Sequence, residues 1–165
     1  MISNSFHIFT EEEWEALCDN CGICCLYKIE EQDTETLYFT RIICEFYNKT
    51  ARNCMVYPER TIKMKTCVRL TPDNLEAVQR WLPKHCSYRC LLKGMELPKW
   101  HPLLAAEDPL SRSTLSKFSQ FVREPLDTEI GSFRITKTIR KAKSVNIDMN
   151  FEEKLLNNLI LDTDL

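Results

Sequence analysis

Apolar and polar positions along this chain change over in short stretches, which predicts brief elements joined by many loops. Thr10 to Leu17 reads as a short helix: Thr10 can cap it, and Glu11, Glu12 and Glu13 suit the positive end of its dipole. Leu26 to Thr40 holds two strand-like runs around Asp33-Thr34-Glu35 and predicts a β-hairpin. Ile42, Ile43, Phe46 and Tyr47 extend the apolar pattern, and Asn48 to Lys65, with Pro58, reads as an irregular excursion. Thr71-Pro72-Asp73 looks like a helix start, with Thr71 as cap, running to about Leu82 before Pro83 stops it. Cys86 to Lys93 predicts a second short helix closed by Gly94. Beyond Pro98 the chain is broken by Pro102, Pro109 and Pro125, with a weak strand pattern at Ser132 to Thr136. Asn150 then precedes an amphipathic helix over Phe151 to Leu161, with Leu155, Leu156, Leu159 and Ile160 as its apolar stripe.

These elements predict an α+β fold: a small, metal-organised, loop-rich domain of short helices and a small antiparallel sheet or hairpin. Residues 1–105 carry every cysteine and read as the core, and residues 106–165 as an extension ending in the amphipathic helix. A chain of 165 residues is long enough for one modest core. The formal charge of -2 provides no basic field for a phosphate backbone, so nucleic acid is not an expected partner. The basic run Arg134 to Lys143 reads as a solvated face. No window of about 18 apolar residues exists to span a membrane. The N-terminal stretch also lacks the basic and apolar regions of a signal peptide, so a cytoplasmic, reducing location is expected. With only three glycines, Gly-rich phosphate loops are excluded, as are the common hydrolase and zinc-protease motifs.

The nine cysteines then change the picture. Four of them, Cys18, Cys21, Cys24 and Cys25, crowd into eight residues, too tight for relaxed disulfides among themselves. A CxxC turn, by contrast, returns both sulfurs toward one ion, so thiolate ligation of a transition metal is the better reading. Adjacent residues project differently, so Cys24 and Cys25 do not serve one ion alike: either Cys25 is a bystander or the cluster feeds two sites or one polynuclear centre. Completing the coordination requires Cys44, Cys54, Cys67 and Cys86, which gives eight thiols; Cys90 is left as a spare that, four residues after Cys86 on one helix face, could replace one of them. His85 and His101 are weaker candidate nitrogen ligands. The spacing matches the first three cysteines of a bacterial ferredoxin motif, but the fourth follows at once and no proline stands after it.

The order of Cys18-Asp19-Asn20-Cys21-Gly22-Ile23-Cys24-Cys25, Leu37-Tyr38-Phe39-Thr40 and Cys44 resembles the bacterial CxxCxxCC zinc- or iron-chelating family. Tyr57-Pro58-Glu59-Arg60, Cys67-Val68-Arg69-Leu70-Thr71, Trp81-Leu82-Pro83, Cys86-Ser87-Tyr88-Arg89 and Trp100-His101-Pro102-Leu103 continue the likeness over roughly residues 10–105. The resemblance implies that Cys18, Cys21, Cys24, Cys25, Cys44, Cys54, Cys67 and Cys86 are the metal-binding thiols. Cys90 departs from that pattern, as does the chain after about residue 105.

Three functions fit the residues. The first is a metal-binding protein that holds zinc or iron without catalysis. The second is an iron or iron–sulfur enzyme or redox protein, in which Arg60, Tyr88, Arg89 and His101 would surround an open centre. The third is a zinc-stapled module that meets a protein partner through its C-terminal helix. Whether the chain is an enzyme stays open at this level.

Overall fold

The computed structural model describes residues 3–127 and 131–161. In chain order its elements are α1 (Glu11–Ala16), β1 (Leu26–Glu30), β2 (Leu37–Ile43), β3 (Tyr47–Asn48), β4 (Asn53–Cys54), α2 (Arg60–Lys63), α3 (Leu75–Val78), α4 (Ser87–Lys93), α5 (Pro102–Ala105), α6 (Pro109–Ser119), α7 (Ser132–Lys141) and α8 (Phe151–Leu156). The fold is a small α+β one, with short helices and two antiparallel sheets of two strands each among the described residues. Among the described residues no helix is long and apolar enough to cross a membrane. Two compact units divide the chain: Met1–Asp19 with Leu70–Gly131, and Asn20–Arg69 with Ser132–Leu165.

The first unit is helical. Thr10 starts α1 with a complete capping box: its hydroxyl accepts from Glu13 N–H at 3.1 Å, and the Glu13 carboxylate accepts from Thr10 N–H at 2.9 Å. This fixes Trp14 and Leu17 into a core with Phe6, Leu75, Leu91 and Phe118. Each such side chain contributes about 1.5–3 kcal/mol by leaving water. Trp14 meets Tyr88 of α4 at a ring separation of 5.0 Å and donates its indole N–H to Leu70 O at 3.0 Å. The α1 helix also packs on α6 through Glu13, which Lys117 reaches at 2.5 Å and the Ser113 hydroxyl joins. At α4 the C-terminus closes on Gly94 in the left-handed region, as the sequence indicates.

The helix expected from Thr71 begins later. Thr71 and Asn74 exchange hydrogen bonds, Asn74 N–H to the Thr71 hydroxyl and Thr71 N–H to the Asn74 side chain, which holds the segment as a turn. α-Helix then spans only Leu75–Val78 and tightens to a 3-10 turn at Gln79–Trp81 ahead of Pro83.

The second unit is built on the β1–β2 hairpin, in the register Lys28↔Phe39, Ile29↔Tyr38 and Glu30↔Leu37. The pairing shifts between Lys28 and Leu26, which pairs with Ile43. Thr40, fully buried, fills this bulge: its hydroxyl donates to Tyr27 O at 2.8 Å and accepts from Ile42 N–H at 3.2 Å. The other edge of β2 is covered by two later segments. Ile43 N–H donates to Lys143 O at 3.0 Å, Arg41 N–H to Asn158 O at 2.8 Å, and Ile160 N–H to Phe39 O at 2.8 Å.

Two expectations are corrected here. Ser132 to Thr136 is not a strand but the first half of α7. Its alternation is only a few residues long, whereas Ile135, Ile139 and Ala142 recur at helical spacing and are all buried. The C-terminal helix also ends at Leu156, short of Leu161. Leu159 leaves the helix to bridge Thr40, Leu155 and Ile160 are buried, and Leu156 is half exposed.

Candidate metal centre

The cysteine motif begins where α1 ends. Cys18 N–H still bonds Glu15 O at 3.3 Å, and Asp19 closes this segment of the first unit. In the second unit the loop turns on two residues of positive φ, Asn20 at 57° and Gly22 at 83°. Gly22 then opens a 3-10 turn over Ile23–Cys25. Tyr47 presses on this glycine so closely that an added Cβ would sit 2.6 Å from the ring's Cζ. The same tyrosine donates its hydroxyl to Asn20 O at 2.9 Å, so one side chain fixes both turning points of the loop.

The second unit also carries the later thiols. Cys44 N–H donates to Cys25 O at 2.9 Å, which ties the far end of the hairpin to the motif. Cys54 on β4 pairs with Tyr47 on β3. Cys67 follows α2, its N–H bonded to Met64 O at 3.0 Å. None of the nine cysteines is in a disulfide.

These thiols feel one another. A hydrogen bond with Cys24 and burial push the Cys25 thiol well up, with further contributions from the charges of Cys24, Cys44 and Cys67. Burial raises Cys44 and Cys67 as well; Cys54 adds to both, and the Arg60 guanidinium eases Cys67 back. The Tyr47 phenol is raised by burial and by the neighbouring Cys21 and Cys25. Five cysteines, Cys24, Cys25, Cys44, Cys54 and Cys67, therefore act on one another, and Cys21 joins them through Tyr47, which it and Cys25 both influence. Ionising several of them together requires a counter-charge, which a divalent cation supplies. Among the described residues no three of the six sulfurs all lie within 4.8 Å of one another. Cys24 is exposed and Cys25 half-buried.

In the first unit, Cys18 and Cys86 are partly buried against the hydrophobic core, and Cys86 stands at the cap position of α4. Cys90 is 1% exposed in that core; burial pushes its thiol up to about 12, so it packs as a small apolar side chain. His101 is fully engaged: Nδ1 accepts from Leu103 N–H at 3.1 Å, capping α5, while Nε2 meets Leu17 O at 3.0 Å. His85 is 1% exposed, and neither ring nitrogen has a hydrogen-bond partner. Burial lowers its pKa to about 4, so the imidazole is neutral with a lone pair available.

Of the residues considered for an open catalytic centre, each binds a backbone carbonyl. Tyr88 donates to Trp14 O at 2.7 Å, Arg89 to Leu82 O at 2.7 Å, and Arg60 to Tyr57 O at 2.6 Å while stacking on the Tyr57 ring. They brace the polypeptide around the cysteines.

Three side chains that matter here escaped sequence reasoning. Lys28 lies beside Cys24, Cys25 and Cys67 and donates to Cys24 O at 2.9 Å; burial lowers its pKa while the thiols oppose that shift. Its signal was only a basic residue three positions past Cys25. In the sequence Tyr47 shows only as part of an apolar segment, and Asp19 only as a member of the cysteine motif.

A group of thiols with a lysine beside it has the donor chemistry of zinc or iron, both of which accept thiolate sulfur. Comparison with known proteins agrees. Residues 17–87 match the CxxCxxCC family, described as a putative zinc- or iron-chelating domain. A UPF0260 protein of Vibrio campbellii is 38% identical over 128 residues, covering 78% of this chain and 82% of its own. One from Shewanella pealeana is 49% identical over 92 residues, 56% of this chain and 62% of its own. A third, from Pseudomonas putida, is 38% identical over 114 residues, 68% of this chain and 75% of its own. No solved structure matches. Motif, later thiols and relatives converge: this chain belongs to the CxxCxxCC family.

Proposed function

We propose that the protein holds zinc or iron in a thiolate centre formed within its second unit by Cys21, Cys24, Cys25, Cys44, Cys54 and Cys67. The observation that carries this is the mutual influence of thiols drawn from separate stretches of sequence, Cys24, Cys25, Cys44, Cys54 and Cys67, with the half-buried Lys28 beside Cys24, Cys25 and Cys67. Six sulfurs exceed the four of a mononuclear zinc site, which favours a centre of more than one metal ion. The lysine offsets the excess negative charge that such a thiolate centre carries. Cys18 and Cys86 belong to the same family set of thiols but to the other unit, where they support a second position. Cys90 serves the core. The activity is metal holding, and the carbonyl-binding roles of Tyr88, Arg89 and Arg60 support binding over catalysis.

The test is metal analysis with an absorption spectrum on tag-free protein purified without oxygen. Bound zinc without colour, or iron with charge-transfer bands and acid-labile sulfide, both support a thiolate centre and decide its kind. Metal-free protein that stays folded, with its half-buried thiols open to a thiol reagent and unmoved by added zinc or ferrous iron, overturns the reading.

A further inference from the structure

The strongest feature outside the thiol neighbourhood is His85. An imidazole that is 1% exposed and has neither nitrogen paired is an exception to the rule that buried polar groups are satisfied. Its ring packs on Trp100 at 5.4 Å, which explains its orientation but satisfies neither nitrogen. A carboxylate oxygen of Asp19 lies within 4.8 Å of a His85 ring nitrogen. Two donor atoms within this limit, one of them on an imidazole with neither nitrogen hydrogen-bonded, are close enough to reach a single ion held at ~2.0–2.2 Å from each.

The local backbone is built to hold this pair. The Ser87 hydroxyl donates to Leu17 O, and His101 Nε2 meets the same carbonyl at 3.0 Å. Segment 17–19 is thereby fastened against segment 85–87, with Leu17 opposite Ser87 and Asp19 opposite His85. Cys18 and Cys86 fall between these two contacts.

We propose that His85 and Asp19 supply the nitrogen and oxygen ligands of a second metal position, distinct in donor type from the all-sulfur centre. The pair provides one neutral nitrogen donor and one carboxylate oxygen donor from a single unit. Nitrogen and oxygen donors suit zinc or ferrous iron, and two protein ligands leave coordination positions for water or a small anion. The inference rests on the reading of this chain as a thiolate metal protein, extending it to a position with an open site.

The experiment uses the full, tag-free chain, so that His7, His85 and His101 are its only imidazoles. Metal-free protein is loaded with zinc or ferrous iron, and its stoichiometry and X-ray absorption spectrum are compared among wild type, His85→Phe and Asp19→Asn. The wild type is expected to show imidazole scattering beside sulfur. His85→Phe should lose that scattering and bind its weakest ion at least about tenfold less tightly, the loss that removing a mere outer-shell partner already causes. Asp19→Asn should weaken the same ion and keep the sulfur signal. Stability of the metal-free proteins guards against a folding artefact, because replacing an unpaired buried imidazole by an apolar ring should leave the apo protein as stable or more so. If His85→Phe keeps wild-type stoichiometry, affinity and spectrum, the second position is overturned while the thiolate centre stands. If the wild type binds neither zinc nor ferrous iron, both fall.

Discussion

Gly22 offers the sharpest test of how the cysteine loop is shaped. Replacing it with alanine imposes two separable costs. An L-residue at a φ of 83° costs about 1–2 kcal/mol in backbone strain. The new methyl would also meet the Tyr47 ring at 2.6 Å and its hydroxyl at 2.7 Å, so the ring must shift. That shift sacrifices the bond to Asn20 O, worth about 0.5–1.5 kcal/mol, together with packing around a nearly buried tyrosine. The sum is about 2–4 kcal/mol. Gly22→Ala should therefore lower stability by that amount in urea denaturation and weaken metal binding in a chelator competition. In a Tyr47→Leu background the ring atoms that clash are gone, and Gly22→Ala should cost only the backbone part, about 1–2 kcal/mol. The coupling between the two sites is then about 1–2 kcal/mol. Gly131→Ala is the control: nothing lies within 4 Å of its added methyl, so a change within about 0.5 kcal/mol is expected. A Gly22→Ala protein within 0.5 kcal/mol of wild type, or one whose cost is the same in both backgrounds, would refute this account of the loop.

Glu13 links stability to pH. Burial alone would raise its pKa, but hydrogen bonds from Lys117, Ser113 and the Thr10 backbone outweigh this and lower it from 4.5 to about 2. A carboxylate depressed on folding stabilises the protein fully above its unfolded value and loses that contribution as pH falls through the folded one. Glu13→Gln should cost about 1.5–3 kcal/mol at neutral pH, and the gap to wild type should narrow between about pH 4.5 and about 2; a gap independent of pH would contradict the ion pair. Cys90→Ala should cost about 1 kcal/mol through lost core packing and leave metal stoichiometry unchanged. Cys67→Ser should lower the metal content, and metal loss in Cys90→Ala instead would put Cys90 among the ligands.

Local signals carried the elements that close on themselves. The Thr10 capping box, the Gly94 terminus and the hairpin around Asp33 depend on residues a few positions apart, and all three form as their chemistry indicates. Elements that depend on distant partners were less legible. Ser132 to Thr136 alternates like a strand until Ile139 and Ala142 are counted, and the last helix stops at Leu156 because residues 158–160 are recruited by the edge of β2. The candidate site divides the same way. The thiols announce themselves by spacing, whereas Lys28, Tyr47 and the Asp19–His85 pair acquire meaning only when the chain folds back. His101, a histidine like any other in the sequence, turns out to spend both nitrogens on the backbone.

The late segments that finish the edge of β2 bear on how the protein is made. During synthesis, Cys21 to Cys67 leave the ribosome well before Lys143, Asn158 and Ile160, whose backbone groups complete that edge. At about 5–20 residues per second, the interval between Cys67 and Ile160 is roughly 5 to 20 s. For that time the nascent chain presents its thiols beside an unfinished strand, open both to oxidation and to capture of whichever thiophilic metal is most available. The choice of metal at the proposed centre would then be exposed to supply during translation as well as to the preference of the finished site.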